Sequence, residues 1–254
     1  MPSTYGLRSV AEVPPQASLR KFTVTAWLPA SQSPCSVTMS AAPLALLIVS
    51  SSGFLRGYFN PVHGSAVPPS WLLENQPLAE EAPAATPQPP PPGPPWRIGW
   101  FGNLSCLRSL GLLAALARAM PAGVEVVLRG RPTPQLRAAV TMAVARTPGL
   151  VFLGPYDRAR DLAQIHAGLH FAWTLDFDDA GTNSTWLLPN RLYESSLHGV
   201  VPMALATDET GRWLAAHGAR LLLDEPLEQT VPARLAALDA ADGAALVAAL
   251  APRR

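Results

Sequence analysis

Apolar positions along the chain change character three times. Up to about residue 40 they are isolated among Ser, Pro and Thr, with neither the alternation of a strand nor the spacing of a helix face, so residues 1–40 are expected to lack fixed structure. From Pro43 the texture tightens: Leu44 to Val49 reads as a buried strand, Ser50-Ser51-Ser52-Gly53 as a turn, Phe54 to Phe59 as a short helix and Trp71 to Asn75 as a second strand. Two strands do not make a domain by themselves. Prolines then crowd into Pro87-Gln88-Pro89-Pro90-Pro91-Pro92-Gly93-Pro94-Pro95. Proline lacks a donor and disfavours helix before it, which predicts an extended linker over 79–95.

After the linker the pattern becomes regular. It predicts strand Arg97 to Phe101, a Gly102-Asn103 turn, and a helix with Leu110, Leu113, Leu116 and Met120 on one side. Strand Val124 to Leu128, helix Pro134 to Arg146, strand Leu150 to Leu153 and helix Arg158 to Ala167 follow. The alternation continues with strand Leu169 to Trp173, a long polar loop, helix Asn190 to Leu197, strand Val201 to Ala206, helix Glu209 to His217 and strand Arg220 to Leu223. Short strands separated by helices predict an α/β fold: a Rossmann-like, doubly wound parallel sheet over 96–237. A partial N-terminal unit at 41–78 precedes it, and a C-terminal helix or tail at 238–254 follows.

Composition narrows the classes. With 254 residues and 48% hydrophobic content the chain can bury one substantial core. Charges nearly cancel, 19 Lys plus Arg against 18 Asp plus Glu, so no basic field points to nucleic acid. Cys35 and Cys106 fit no metal or redox spacing and read as free thiols of a reducing compartment. The apolar run Leu44 to Val49 is too short for a spanning helix or a signal segment, which gives a cytoplasmic expectation. Peripheral attachment at the inner face of a membrane stays open.

In a parallel sheet the ligand sits at the carboxyl ends of the strands, which directs attention to the loops after Phe101, Leu128, Trp173 and Ala206. In the first, Gly102 permits close backbone approach and Arg108 sets a cation near a helix N-terminus, an arrangement suited to a diphosphate. In the second, Arg129-Gly130-Arg131 brings two cations to a strand end. Each arginine also reads as a solvated surface residue. The acidic loop Asp176 to Ser184 lacks the spacing of a calcium site, so no metal is expected. In Leu187-Leu188-Pro189-Asn190-Arg191-Leu192-Tyr193-Glu194, Pro189 and Asn190 suit a helix start, and Arg191 and Glu194 share a face near the crevice. A carboxylate there can accept two ribose hydroxyls and a guanidinium can neutralise phosphate; the alternative is a surface Arg191–Glu194 ion pair. The five histidines, His63, His166, His170, His198 and His217, read as packing or surface residues.

The run Asn190-Arg191-Leu192-Tyr193-Glu194-Ser195-Ser196-Leu197-His198-Gly199-Val200-Val201-Pro202 resembles the nucleotide-sugar motif of family 4 glycosyltransferases, and 97–224 is similar to bacterial exopolysaccharide glycosyltransferases of the succinoglycan-biosynthesis type. This resemblance implies a retaining GT-B transferase whose substrate is a nucleoside-diphosphate sugar, with no further cofactor and no catalytic metal. The acceptor it implies is a polysaccharide or a lipid-linked glycan. By position, Glu194 would bind the ribose, Arg108 and Arg191 the diphosphate, and Gly102 would line the phosphate loop, with Thr210 and Gly211 as further candidates. The first Glu of the family's Glu-x7-Glu arrangement falls at Trp186, so Asn183 or Asp179 is expected to face the sugar, and no catalytic residue is assigned. Leu46 to Ser51 and Trp71 to Asn75 resemble the closing strands of the acceptor lobe, most of which has no counterpart here. The alternatives are a truncated, non-catalytic nucleotide-sugar-binding remnant of such an enzyme, and an unrelated Rossmann-like protein for another phosphate ligand.

Overall fold

A computed structural model of the chain describes residues 46–64, 67–77, 81, 90–218 and 221–248. The expected unstructured segment 1–40, Cys35 and most of the proline-rich linker lie outside them.

The first unit is a small βαβ arrangement. Strands β1 (Leu47–Val49) and β2 (Ser70–Leu72) pair in parallel, Leu47 opposite Ser70 and Val49 opposite Leu72. Between them run helix α1 (Ser52–Phe54), one π-helical turn (Leu55–Phe59) and helix α2 (Asn60–His63). β2 is shorter than the Trp71 to Asn75 strand the pattern predicts, because Glu74 and Asn75 leave the ladder to bond side chains of the larger unit.

The second unit holds six parallel strands: β3 (Trp96–Leu104), β4 (Val124–Pro132), β5 (Leu150–Phe152), β6 (Phe171–Trp173), β7 (Val201–Leu205) and β8 (Leu222–Leu223). Their order is β5-β4-β3-β6-β7-β8, so the chain winds outward from the centre first one way and then the other. On one face lie α3 (Leu107–Ala119), α4 (Pro134–Arg146) and α9 (Leu227–Ala236). Trp96, Ile98 and Trp100 of β3 meet Leu110, Leu113 and Leu116 of α3 and Val231 and Leu235 of α9 there. On the other face α5 (Arg158–His166), α7 (Asn190–Leu197) and α8 (Glu209–Ala216) cover Phe101, Ala172 and Ala204 with Leu162, Ile165, Leu192 and Leu214. The alternation of apolar residues along β3 thus feeds both layers. The polar loop after β6 contains a short helix that the pattern did not predict, α6 (Asn183–Trp186), and α10 (Ala240–Ala248) closes the described chain.

Trp186, backbone and indole, is one of the surfaces on which the first unit docks onto the second. A Cβ on Gly53 would collide with the Trp186 backbone and one on Gly57 with its ring, so only hydrogen at these positions lets the helical segment sit this close. Ser51 Oγ donates to the Trp186 carbonyl, Ser52 Oγ to Glu209 Oε1 at 2.7 Å, and Arg56 pairs with Glu209. Among the described residues no helix is long and apolar enough to cross a membrane.

Candidate functional site

β3 and β6 are paired through Ile98–Phe171 and Gly99–Ala172 and then part, whereas β3 stays with β4 as far as Leu104–Pro132. A crevice opens where the winding reverses, the place where an open parallel sheet binds ligands. Its floor differs from expectation: Gly102-Asn103 is not a turn and Arg129-Gly130-Arg131 is not a loop, since both belong to the extended ends of β3 and β4. Gly102 (φ 100°) and Gly130 (φ 137°) face each other in register, and a Cβ on Gly130 would strike the Gly102 carbonyl. The ladder continues past the core because two glycines allow that approach.

α7 starts at this crevice with Pro189 as its N-cap in extended conformation, and its first two turns place Arg191 and Glu194 at the opening. They do not pair with one another. Arg191 turns to the end of β6, its guanidinium donating to the carbonyls of Leu175 (3.1 Å) and Thr174 (3.4 Å), with Asp176 at 3.9 Å. Its Nε is buried without a partner. Burial pushes the Arg191 pKa down, and Asp176, then Cys106, Asp178 and Tyr156, act against that shift. Glu194 is buried, and its Oε1 accepts from Arg158 Nε at 2.6 Å. The other arm of Arg158 pairs with Glu81, and these two carboxylates raise the Arg158 pKa. Tyr156 lies among the same groups: burial and then Glu194 push its phenol up, while Arg158, Arg191 and Arg129 pull it back. Arg129, half-buried at the end of β4, also keeps a buried Nε without a partner.

Arg108, on the first turn of α3, is exposed: it pairs with Glu225 at 2.7 Å and lies 4.3 Å from the centre of the Phe177 ring. Asn183 sits at the start of α6. Thr210 Oγ1 donates to the Leu187 carbonyl at 3.3 Å, tying α8 to the segment before α7. Gly211 packs against the end of β7, where a Cβ would collide with the Leu205 carbonyl. Asp208, the N-cap of α8, has its carboxyl pushed up to about 6, chiefly by burial. Cys106 Sγ and the carboxylates of Asp176 and Asp178 come within 4.8 Å of one another, and the Arg191 guanidinium beside Asp176 answers part of that negative charge.

Several residues of the site were not singled out by the sequence. Arg158 and Tyr156 follow β5, whose carboxyl end points into the same crevice, so the strand-end rule applied to every strand would have found them. Glu74 gives no such signal. It accepts from Tyr193 Oη and Trp213 Nε1, both at 3.1 Å, and lines a cleft of about 220 Å³ with Ser52, Arg56, Glu209, Arg212 and Trp213.

No protein-family model matches the chain. It is 45% identical over 184 residues to the succinoglycan biosynthesis protein ExoL of Rhizobium meliloti (strain 1021), a match covering 70% of this chain and 45% of that protein. The chain therefore spans less than half the length of this relative. Among solved structures, HepE of Anabaena in complex with UDP-glucose superposes with a TM-score of 0.58 at 15% identity, covering 81% of this chain and 57% of that one. The sucrose-phosphate synthase of Thermosynechococcus elongatus gives 0.52 at 16% identity, over 81% and 54%. TarM of S. aureus, in complex with fondaparinux, α-GlcNAc-glycerol and UDP, gives 0.51 at 8% identity, over 82% and 40%. By sequence the chain is related to part of the succinoglycan biosynthesis protein ExoL, and its fold is like that of HepE and of the sucrose-phosphate synthase.

Proposed function

We propose that the chain binds a nucleoside-diphosphate sugar in the crevice between β3 and β6 and serves transfer of the sugar, with retention, to a polysaccharide or lipid-linked acceptor. One observation carries this reading: the opening holds a buried carboxylate, Glu194, on the same helix as the half-buried cation Arg191, whose buried Nε has no partner. A carboxylate accepts two vicinal hydroxyls, and buried guanidinium groups answer a diphosphate. Arg129, with its own unpartnered Nε, and Arg108 extend that positive lining, and Gly102 keeps the floor free of side chains. Asn183 is the candidate for the sugar. In this role the arginines stabilise charge developing on the leaving diphosphate, which requires neither a covalent intermediate nor a metal. The relationship to ExoL and the UDP-glucose bound by HepE support the substrate class. A lipid-linked acceptor would set the protein at the cytoplasmic face of a membrane.

A second reading is donor binding without transfer, with the first unit, docked on Trp186 and Glu209, serving only to support the donor crevice. Calorimetry with nucleoside diphosphates and their sugars separates the two. Binding that Glu194→Ala lowers at least about tenfold, with sugar released to water or to a glycan, supports transfer. Binding without turnover selects the second reading, and no binding to any member of the series rejects both.

A further inference from the structure

The buried carboxylate of Glu194 has one hydrogen-bond partner among the described residues, and that partner is held from its far side. Arg158 Nε donates to Glu194 Oε1, while Arg158 Nη1 pairs with Glu81, in the segment joining the first unit to the sheet. Glu194 Oε2 takes no partner among the described residues. A carboxylate with 6% of its side chain exposed is expensive to keep charged without a cation, and free to rotate without a fixed donor. Arg158 supplies both.

The backbone sets Arg158 at this spot with little freedom. Asp157 caps α5, accepting from the Ala159 and Arg160 amides at 2.9 and 3.3 Å, so Arg158 is the first helical residue. Two turns on, His166 of α5 stacks on His198, the C-cap of α7, with ring centres 5.0 Å apart and planes 10° from parallel. Arg158, Leu162 and His166 form one stripe of α5, and Glu194 and the C-cap His198 lie one turn apart along α7. The stacked imidazoles at one end and the ion pair at the other fix the two helices in register.

We infer that Arg158 is a positioning residue: it orients Glu194 so that Oε2 and the remaining lone pairs present to the ribose hydroxyls, and Glu81 holds Arg158 in that pose. The inference rests on the ribose reading of Glu194. Arg158 contributes to recognition of the 2′-hydroxyl, through Glu194, rather than to affinity for phosphate or base. This fixes the sign of the test, because removal of Arg158 weakens ribonucleotides and leaves deoxynucleotides nearly untouched.

Uridine, guanosine, adenosine and cytidine diphosphates and their 2′-deoxy counterparts are titrated into the full chain and into Arg158→Ala, Arg158→Lys and Glu81→Gln. The native chain is expected to prefer the ribo form of its best nucleotide about tenfold. In Arg158→Ala this preference falls below about threefold while deoxy affinity stays within about twofold; Arg158→Lys restores part of it. Glu81→Gln, which keeps the Arg158–Glu194 pair, lowers the preference about twofold. Arg158→Ala retaining the full preference overturns the inference and leaves the ribose reading standing. So does an equal loss of ribo and deoxy affinity in Arg158→Lys, the variant to rely on if the alanine form does not fold. A native chain with measurable binding but no ribo preference overturns the ribose reading, and the inference with it.

Discussion

The two walls of the crevice carry the same charges in opposite settings. On the α7 wall, Arg191 is inserted under the end of β6 with its side chain 16% exposed, and Glu194 is buried against Arg158. On the α3 wall, Arg108 is 44% exposed and shared between Glu225 and the face of Phe177. Water screens the second arrangement fully, but reaches Arg191 and Glu194 themselves far less. A buried, pre-oriented guanidinium with an unmade hydrogen bond gains from an arriving anion, whereas an exposed one must first exchange a partner it already has. The α7 wall should therefore dominate both ligand affinity and the stability of the crevice, and the α3 wall should tune it.

The largest effect is expected from Arg191→Ala. It removes the donor serving the Thr174 and Leu175 carbonyls and leaves Asp176 without its cation, costing about 3 kcal/mol of stability and about 100-fold in nucleotide affinity. Urea unfolding and calorimetry on the same preparation check both. A change as small as that of an Arg108 variant would erase the distinction between the walls.

Acid tests the seam between α5 and α7 without mutation. Burial, with a smaller contribution from His198, lowers the His166 pKa from 6.5 to about 4. The folded state disfavours the imidazolium, so the unfolded chain binds more protons between those values. Stability tied to His166 is fully present above pH 6.5 and is lost as the pH falls toward 4, on the order of 3 kcal/mol in all. Denaturant midpoints across that range follow it. In His166→Phe the slope should flatten, and an unchanged slope would remove His166 from the seam between α5 and α7.

Smaller effects belong to the α3 wall. Arg108→Ala is expected to lower nucleotide affinity about fivefold, less at high salt, with stability within about 1 kcal/mol of native. Glu225→Gln, which releases Arg108 from its ion pair, is expected to raise affinity about twofold. A loss there would mean that Glu225 orients Arg108 rather than competing for it.

The same contrast explains what the sequence made legible. Helix α7 runs from Asn190 to Leu197 as its pattern predicts, because Pro189 opens it and Leu192 and Tyr193 are its buried face. The order of strands and helices follows from local periodicity, and so does the placing of Arg191 and Glu194 at a strand-end crevice. The partners of those residues do not. Arg158 lies 36 positions before Glu194, and Glu81 another 77 from Arg158, so the clamp exists only once the sheet has brought α5 beside α7. Arg56 and Ser52 likewise reach Glu209 across more than 150 residues. Gly102 and Gly130 misled for a different reason: glycine after a strand usually signals a turn, and here two glycines in register extend the ladder.

On the proposed function the ligand lies in the crevice between β3 and β6, with α7 as its determining wall. Backbone hydrogen exchange, followed peptide by peptide with and without the tightest-binding nucleoside-diphosphate sugar, locates the ligand most directly. Strong added protection is expected over 187–197, and weaker protection over 102–108, 129–131 and 174–178. Unchanged exchange across 187–197, with protection instead around the small apolar cavity between α3 and α9 lined by Leu112, Trp173 and Val231, would contradict it.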